Sequence, residues 1–561
     1  MTAQAIEPSS SGVPFRAVVR APTLAIAAPA GLAVAVFAIA LVARTVGINL
    51  FVTPDEDNWM RRAANFSRAL QSGRYQQSLQ SGHPGVTTMW VASLGMGSDA
   101  VRLAGATTSD PSTIVTKSPD WDWLFLRARY AMVAASSALL ALIAVLSWRL
   151  LGAGPAILGA IVMALEPFMV AHGQVVHVDA LTAELMTVAV LAGGIFWLRG
   201  GRVGYLVLCG MACGLGVLTK APSFFLGLFL PLLALSAAMT NRREWPLRRV
   251  VISLGVCGVV ALVTVFACLP ALWVAPIESV RFAIDYQRLQ SATPHGPGNF
   301  FLGRPVADPG AFYYPVAAMF RSTPTVVVGL IGLTVFLTPR SLRQRTGLLV
   351  GFVLGFALFV TLASKKLDRY ALPIFPSLAL LAGMGFWSMY GELAPRMSRL
   401  GRDAELWGFA ALVGAVGLAQ VIFLASVSPY PLAFYNPIVG GGPAAQRVML
   451  VGWGEGLDRV ATYLNARPNA DTAHIAIYYP LRLNFQGMLT GTLHRFGDPV
   501  PADYVVDYVN ASQRGQVPRE VRGAAPDHTV RINGIEYARI YRLDPPRVVG
   551  AESLPTTVPE E

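Results

Sequence analysis

Lysine is nearly missing from this chain. Only Lys117, Lys220, Lys365 and Lys366 occur among its 44 basic residues. Cysteine is as scarce: Cys209, Cys213, Cys257 and Cys268 all lie inside apolar runs. No cysteine is left for an outer loop, so no disulfide framework is implied. Cys209 and Cys213 stand one helical turn apart and read as a small packing face, not as a metal or redox pair. Charge is thin as well, at 14% of residues against 54% hydrophobic, with a mean hydropathy of +0.51. Such a chain is not a soluble domain. Internal repeats and inverted halves are also lacking, which weighs against a secondary transporter.

What is present is a series of apolar runs with charge confined to their ends. They fall near 24–44, 129–148, 153–171, 180–198, 204–219, 222–240, 249–272, 323–338, 347–363, 371–390 and 406–427. Runs of this length and polarity predict a polytopic α-helical membrane protein of about eleven transmembrane helices. The first run has no small-residue cleavage site after it and reads as a retained helix. Arginines then fix the orientation. With Arg16 and Arg20 inside, Arg149, Arg199, Arg202, Arg242, Arg243, Arg340, Arg343, Arg396 and Arg399 all fall on the same side, as expected when cytoplasmic loops hold the positive charge. The N-terminus is then cytoplasmic, the C-terminus extracytoplasmic, and the location a cell (inner or plasma) membrane. This arginine accounts for most of the net charge of +12, so no nucleic-acid partner is needed. The four lysines land on the outer side, against the rule, and call for a local reason.

The expected organisation is a cytoplasmic tail (1–23), a membrane region (24–427), an extracytoplasmic α/β domain (428–545) and a disordered tail (546–561). Two outer loops, 46–127 and 273–321, are long. The first holds two stretches of helical periodicity, Asn58 to Leu70 and Thr87 to Leu103, read as helices at the membrane interface. The second carries His295-Gly296-Pro297-Gly298 and Tyr313-Tyr314-Pro315 and could serve as a lid. In the C-terminal domain, Gly454 to Ala466 reads as a helix. His474 to Tyr479 and Asp503 to Tyr508 read as strands, and Asn533-Gly534 marks a hairpin within Val530 to Tyr541.

The outer face gathers the chemistry. Asp55, Glu56 and Asp57 follow the first run, and His83 lies farther along that loop. His172, His177 and Asp179 follow the third run. Lys220 ends the fifth, and Lys365-Lys366-Leu367-Asp368-Arg369-Tyr370 joins the ninth to the tenth. Charges this near the bilayer are costly unless paired or facing a wet cavity. Together they suit one reaction. A carboxylate can take the proton from an acceptor hydroxyl as it attacks the anomeric carbon of a lipid-borne sugar. Fixed cations can stabilise the departing lipid phosphate. Lys220, Lys365, Lys366 and Arg369 are candidates for the phosphate, with a hydrogen bond from Tyr370. His83, His177, Asp179, Tyr313 and Tyr314 are candidate substrate-site residues. Each group has a plainer reading: Asp55 and Glu56 as helix caps, the lysines and Arg369 as a patch for anionic head groups, and the histidines as hydrogen-bonded structure. The His172, His177 and Asp179 spacing matches no strong metal motif. No metal ligand is assigned and no cofactor is required, while a divalent cation stays open. Glu166, within the third run, needs an interior partner that the sequence does not reveal.

In their order and sidedness these pieces resemble the C-type (GT-C) membrane glycosyltransferases, of the protein O-mannosyltransferase and lipid A aminoarabinose transferase kind. The matching residues are Asp55-Glu56, His83-Pro84, Asp179, Leu218-Thr219-Lys220 and Lys366-Leu367-Asp368-Arg369-Tyr370-Ala371-Leu372-Pro373. The resemblance implies a polyprenyl-phosphate sugar donor and inverting transfer outside the cytoplasm. It also implies Asp55 as the catalytic residue with Glu56 assisting, and the basic motif holding the lipid phosphate. Gly85 stands where the protein mannosyltransferases carry a second proline. The acceptor, whether glycan, lipid or protein, stays open. Two other readings compete: a flippase for lipid-linked glycans, and a non-catalytic scaffold in contact with membrane lipids.

Overall fold

The computed structural model describes residues 27–51, 53–106, 120–292, 298–336, 342–399, 401–478 and 485–550. The tail 1–23, Lys117, His295-Gly296-Pro297 and Tyr479 lie outside them. Among the described residues, eight helices are long and apolar enough to cross a membrane, or up to ten if each of two bent pairs is one span. The shorter apolar helix Val203–Thr219 is additional.

The two bends have one cause and one shared repair. Glu166 and Thr323 each precede a proline and adopt extended backbone, which a residue before proline favours over helix. The chain turns by 60° between Ala153–Leu165 and Pro167–Gly173, and by 112° between Tyr313–Arg321 and Pro324–Val335. The Glu166 carboxylate accepts the Thr323 N–H at 2.9 Å and the Thr323 hydroxyl at 2.8 Å, and Gln420 donates to it at 3.1 Å. This is the interior partner that the sequence left unnamed. A break in one span is closed by a side chain from the other, as a bilayer interior requires.

The core helices meet through small residues. An added Cβ at Gly159, Gly329, Gly383 or Gly385 would collide with the facing helix backbone, so Ala153–Leu165, Pro324–Val335 and Phe375–Ser398 approach closely. The Asp179–Arg199 helix is buried almost end to end. Leu247–Cys268, in contrast, exposes Val251, Leu262, Val263 and Phe266 on an apolar outer face.

In the first long loop the helices are Glu56–Gln71 and Val86–Met96. The second stops before Leu103, at Gly97 with φ +68°. The pair bury Trp59, Met60, Ala63, Phe66 and Met89 together against the Trp121–Leu151 helix. The second long loop holds the helix Pro276–Ala292 and a small hairpin, β1 (Asn299–Phe301) with β2 (Arg304–Val306).

The C-terminal domain is a five-stranded mixed sheet. Its strands are β3 (His474–Ile477), β4 (Thr492–Arg495), β5 (Pro501–Tyr508), β6 (His528–Ile532) and β7 (Ile535–Val548), in the order β4-β3-β5-β7-β6. Strands β3, β4 and β5 run parallel, while β7 is antiparallel to both β5 and β6. Asn533 and Gly534 both have positive φ at the β6–β7 turn, as this tight hairpin demands. Because β7 continues to Val548, the boundary expected at 546 shifts toward the end of the chain. The domain is tied to the membrane region through Asn436, which donates to the Phe320 and Met319 carbonyls.

Candidate active site

The first span ends near residue 45, and the chain turns back through Thr53-Pro54 into the Glu56–Gln71 helix. Asp55 occupies the cap position of that helix, yet its side chain makes no cap hydrogen bond. Its carboxylate, 35% exposed, instead accepts from Arg369 Nη2 at 3.0 Å and lies 3.6 Å from His177 Nε2. The capping reading is therefore set aside, and the side chain is directed into a cavity.

The rest of the cluster is continuous. His177 Nδ1 lies 3.0 Å from Asp179 Oδ2. Asp179 Oδ1 accepts from Lys220 Nζ at 2.5 Å, and Arg369 Nε lies 3.5 Å from Asp179 Oδ2. Lys220 Nζ sits 4.0 Å from the Tyr370 ring centroid, so Tyr370 offers this cation its π face. Burial pulls the Lys220 ammonium below its ordinary range, and Asp179 pushes it back up. Burial first, then Arg369, lowers Lys365, while Asp55 opposes them.

Four expected residues stand elsewhere. Glu56 does not assist in the cavity. It is fully buried, and its two oxygens take a fork from Arg129 at 2.6 and 2.8 Å and the N–H groups of Thr53 and Val176 at 2.9 Å each. Lys366 is buried. It donates to Asp308 and to the Ala363 carbonyl, while its own carbonyl accepts from Asn299. His83 is half-buried, edge-on to Tyr286 with ring centroids 5.2 Å apart, and does not line the cavity. Tyr313 does line it, whereas Tyr314 packs behind Tyr313. Gly85 beside His83 has φ +57°, and a Cβ there would strike the Trp59 ring. Proline cannot adopt that angle.

The opposite wall was not foreseen. Trp453 stacks over the Arg369 guanidinium at 4.5 Å and packs against His177 and His172, with centroids 5.2 and 5.6 Å apart. Glu455, Asn510 and Arg514 line the same cavity from the C-terminal domain. Arg321 closes its edge, holding Asp368 at 2.7 Å. One signal was available. Gly452-Trp453-Gly454-Glu455-Gly456 alternates glycines that all have positive φ, the mark of a shaped loop around a fixed aromatic. Arg129, an ionisable group inside an apolar helix, was the signal for the clamp on Glu56.

The chain is 27% identical over 324 residues to the undecaprenyl phosphate-alpha-4-amino-4-deoxy-L-arabinose arabinosyl transferase of Edwardsiella ictaluri (strain 93-146), covering 54% of this chain and 53% of that protein. The enzyme of the same name from Enterobacter sp. (strain 638) is 28% identical over 196 residues, covering 33% and 32%. The chain is similar to the aminoarabinose transferases. It spans about half the length of the curated relatives it matches. No family model matches. Among solved structures, ArnT from Cupriavidus metallidurans bound to undecaprenyl phosphate gives a TM-score of 0.49 at 16% identity, covering 96% of this chain and 100% of that one. The oligosaccharyltransferase of Archaeoglobus fulgidus in the apo form gives 0.46 at 10% identity, covering 87% and 70%.

Proposed function

We propose that the chain transfers a glycosyl group from a polyprenyl-phosphate-linked donor to an extracytoplasmic acceptor, with inversion and with Asp55 as base. The observation that carries this reading is Asp55 itself. It opens to the cavity and touches the cation cluster, through Arg369 at 3.0 Å. The acceptor oxygen bonds to the anomeric carbon while the bond from that carbon to the phosphate oxygen breaks. The bonding electron pair leaves with the phosphate, and the acceptor proton passes to Asp55. Lys365, Lys220 and Arg369 oppose the charge growing on the phosphate. While Arg369 holds Asp55, a carboxylate lone pair is engaged. Movement of Arg369 toward an arriving phosphate releases that lone pair for the proton.

An apolar groove supports a long lipid chain. It runs between the Leu226–Thr240 and Arg343–Thr361 helices and is lined by Phe225, Phe229, Phe359 and Leu362. Its upper end lies a few residues from both Lys220 and Lys365. Gly347 and Gly351 face it with no bulk, and a Cβ at Gly347 would meet nothing within 4 Å. The arginine pattern supports a C-terminal domain, and with it a site, outside the cytoplasm. The test is transfer by the purified protein from radiolabelled undecaprenyl-phosphate sugars to a mixture of glycan, lipid and peptide acceptors. Wild type yields an inverted product and Asp55→Asn none. Undiminished transfer by Asp55→Asn sinks the assignment.

A further inference from the structure

The cavity wall supplied by the C-terminal domain has more polar capacity than its own contacts use. Glu455 is completely buried; its Oε2 accepts the Trp453 N–H at 2.5 Å, but Oε1 has no partner. Asn510 gives its Nδ2 to the Gly452 carbonyl at 3.3 Å and leaves Oδ1 unpartnered. His172, 1% exposed, has neither ring nitrogen bonded. All three line one cavity. Each unmet polar atom in such a place costs about 1–3 kcal/mol, so four of them, on three residues of one surface, point to a ligand that completes them.

The donor set says what kind. Two oxygens that accept and an imidazole that can both accept and donate need a partner bearing several O–H groups. The cavity's formal charges also balance. Asp55, Asp368 and Glu455 face Arg321, Arg369 and Arg514, and the first two acids are already paired with Arg369 and Arg321. A second anion gains little beside the free Glu455 oxygen, whereas a neutral polyol loses nothing.

Resting on the transferase reading above, we propose that Glu455, Asn510 and His172 form a carbohydrate subsite, making the C-terminal domain a specificity element of the reaction and not a mere cover. Its ligand is a neutral, hydroxyl-rich ring placed next to Asp55. That ring belongs either to the donor's glycosyl group or to a glycan acceptor, and binding separates the two. Full-length protein in detergent is titrated with bare undecaprenyl phosphate, and with undecaprenyl phosphate carrying a hexose, a pentose or an amino-pentose. A panel of soluble oligosaccharides is then titrated at saturating bare lipid. Wild type, Glu455→Gln and Asn510→Ala are compared after matching their thermal midpoints; Asn510→Ala keeps the test open where Glu455→Gln fails to fold. The expected result is unchanged affinity for bare lipid and about tenfold weaker binding of the sugar-bearing ligand. Loss on the lipid-linked sugar assigns the donor's ring, and loss on the oligosaccharide assigns the acceptor's. Folded variants that bind both like wild type overturn the subsite, as does a wild type that gains no affinity from sugar in either arm. A wild type that does not bind bare undecaprenyl phosphate at all counts against the transferase reading instead.

Discussion

The cavity around Asp55 and the clamp around Glu56 are built from the same parts: a carboxylate, an arginine and nearby backbone. Around Glu56 every oxygen is matched and solvent is shut out, with Arg129 and Glu56 at 2% and 0% side-chain exposure. Around Asp55, Arg369 and His177 reach one oxygen at 3.0 and 3.6 Å, and the carboxylate keeps 35% of its side chain exposed. The first arrangement can only hold. It pins the start of the first loop, through Thr53, to Val176 just ahead of His177 and Asp179. The second can exchange partners. In the proposed reaction two acids adjacent in sequence divide between positioning the site and acting in it, and the division follows from how fully each is enclosed.

The largest effects should fall on opposite measurements. Asp55→Asn is expected to cut transfer by about 10²–10⁴-fold while leaving the thermal midpoint in detergent near that of wild type. Glu56→Ala or Arg129→Met strands one buried charge and should cost about 3–5 kcal/mol of stability, seen as a lowered midpoint and poor recovery of monodisperse protein. The paired change Glu56→Leu with Arg129→Met should recover much of that loss, since no charge is then left alone. Should Asp55→Asn lower the midpoint as far as Glu56→Ala does, the contrast between the two regions collapses.

Much of this was legible beforehand because membranes simplify sequences. Apolar runs marked a mostly helical membrane region, and the Asn533-Gly534 hairpin was visible in its turn chemistry. Asp55, His177, Asp179, Lys220 and Arg369 were each selected as outer-face groups, and the structure gathers them into one cluster. What the sequence hid were facts of direction. Lys365 and Lys366 are equivalent on paper, but Lys366 is taken up by Asp308 and the Ala363 carbonyl. Glu56 reads like Asp55 until Arg129 is found beneath it. Trp453 and Glu455 lie about 400 residues from Asp55, and no local periodicity links them. Strand β4 is four residues long and half-exposed, too short for alternation to announce it.

The exchange ascribed to Arg369 gives a sharper test of the open region. Arg369→Lys keeps the charge but loses the fork that spans Asp55 and Asp179, and it loses most of the stacking on Trp453. Transfer should fall by about 10–100-fold, the worth of a hydrogen bond to a charged group, with little change in stability. Trp453→Leu keeps the Arg369 fork but removes its stacking partner and the ring packed on His177 and His172, and should cost less, about 3–10-fold. A drop in the thermal midpoint comparable to that of Arg129→Met would mean that Arg369 belongs with the closed clamp.

His83 offers the smallest and most selective test, because it sits near the cations but outside the cavity. Burial, followed by the charges of Lys220, Lys365 and Arg62, lowers its imidazole to about 3. The folded protein therefore holds His83 neutral, while the unfolded chain takes up a proton below its ordinary value of about 6.5. Stability from this residue is complete above that value and drains away as pH falls, by up to about 1.4 kcal/mol per pH unit. Thermal midpoints recorded from pH 7.5 down to 4.5 should decline for wild type and decline less steeply for His83→Gln. The pH profile of transfer, in contrast, should be the same for both, since a group that stays neutral across this range contributes no step to it. A shifted transfer profile in His83→Gln would place the imidazole among the reacting groups and extend the open region past Lys220 to the His83-Pro84 loop.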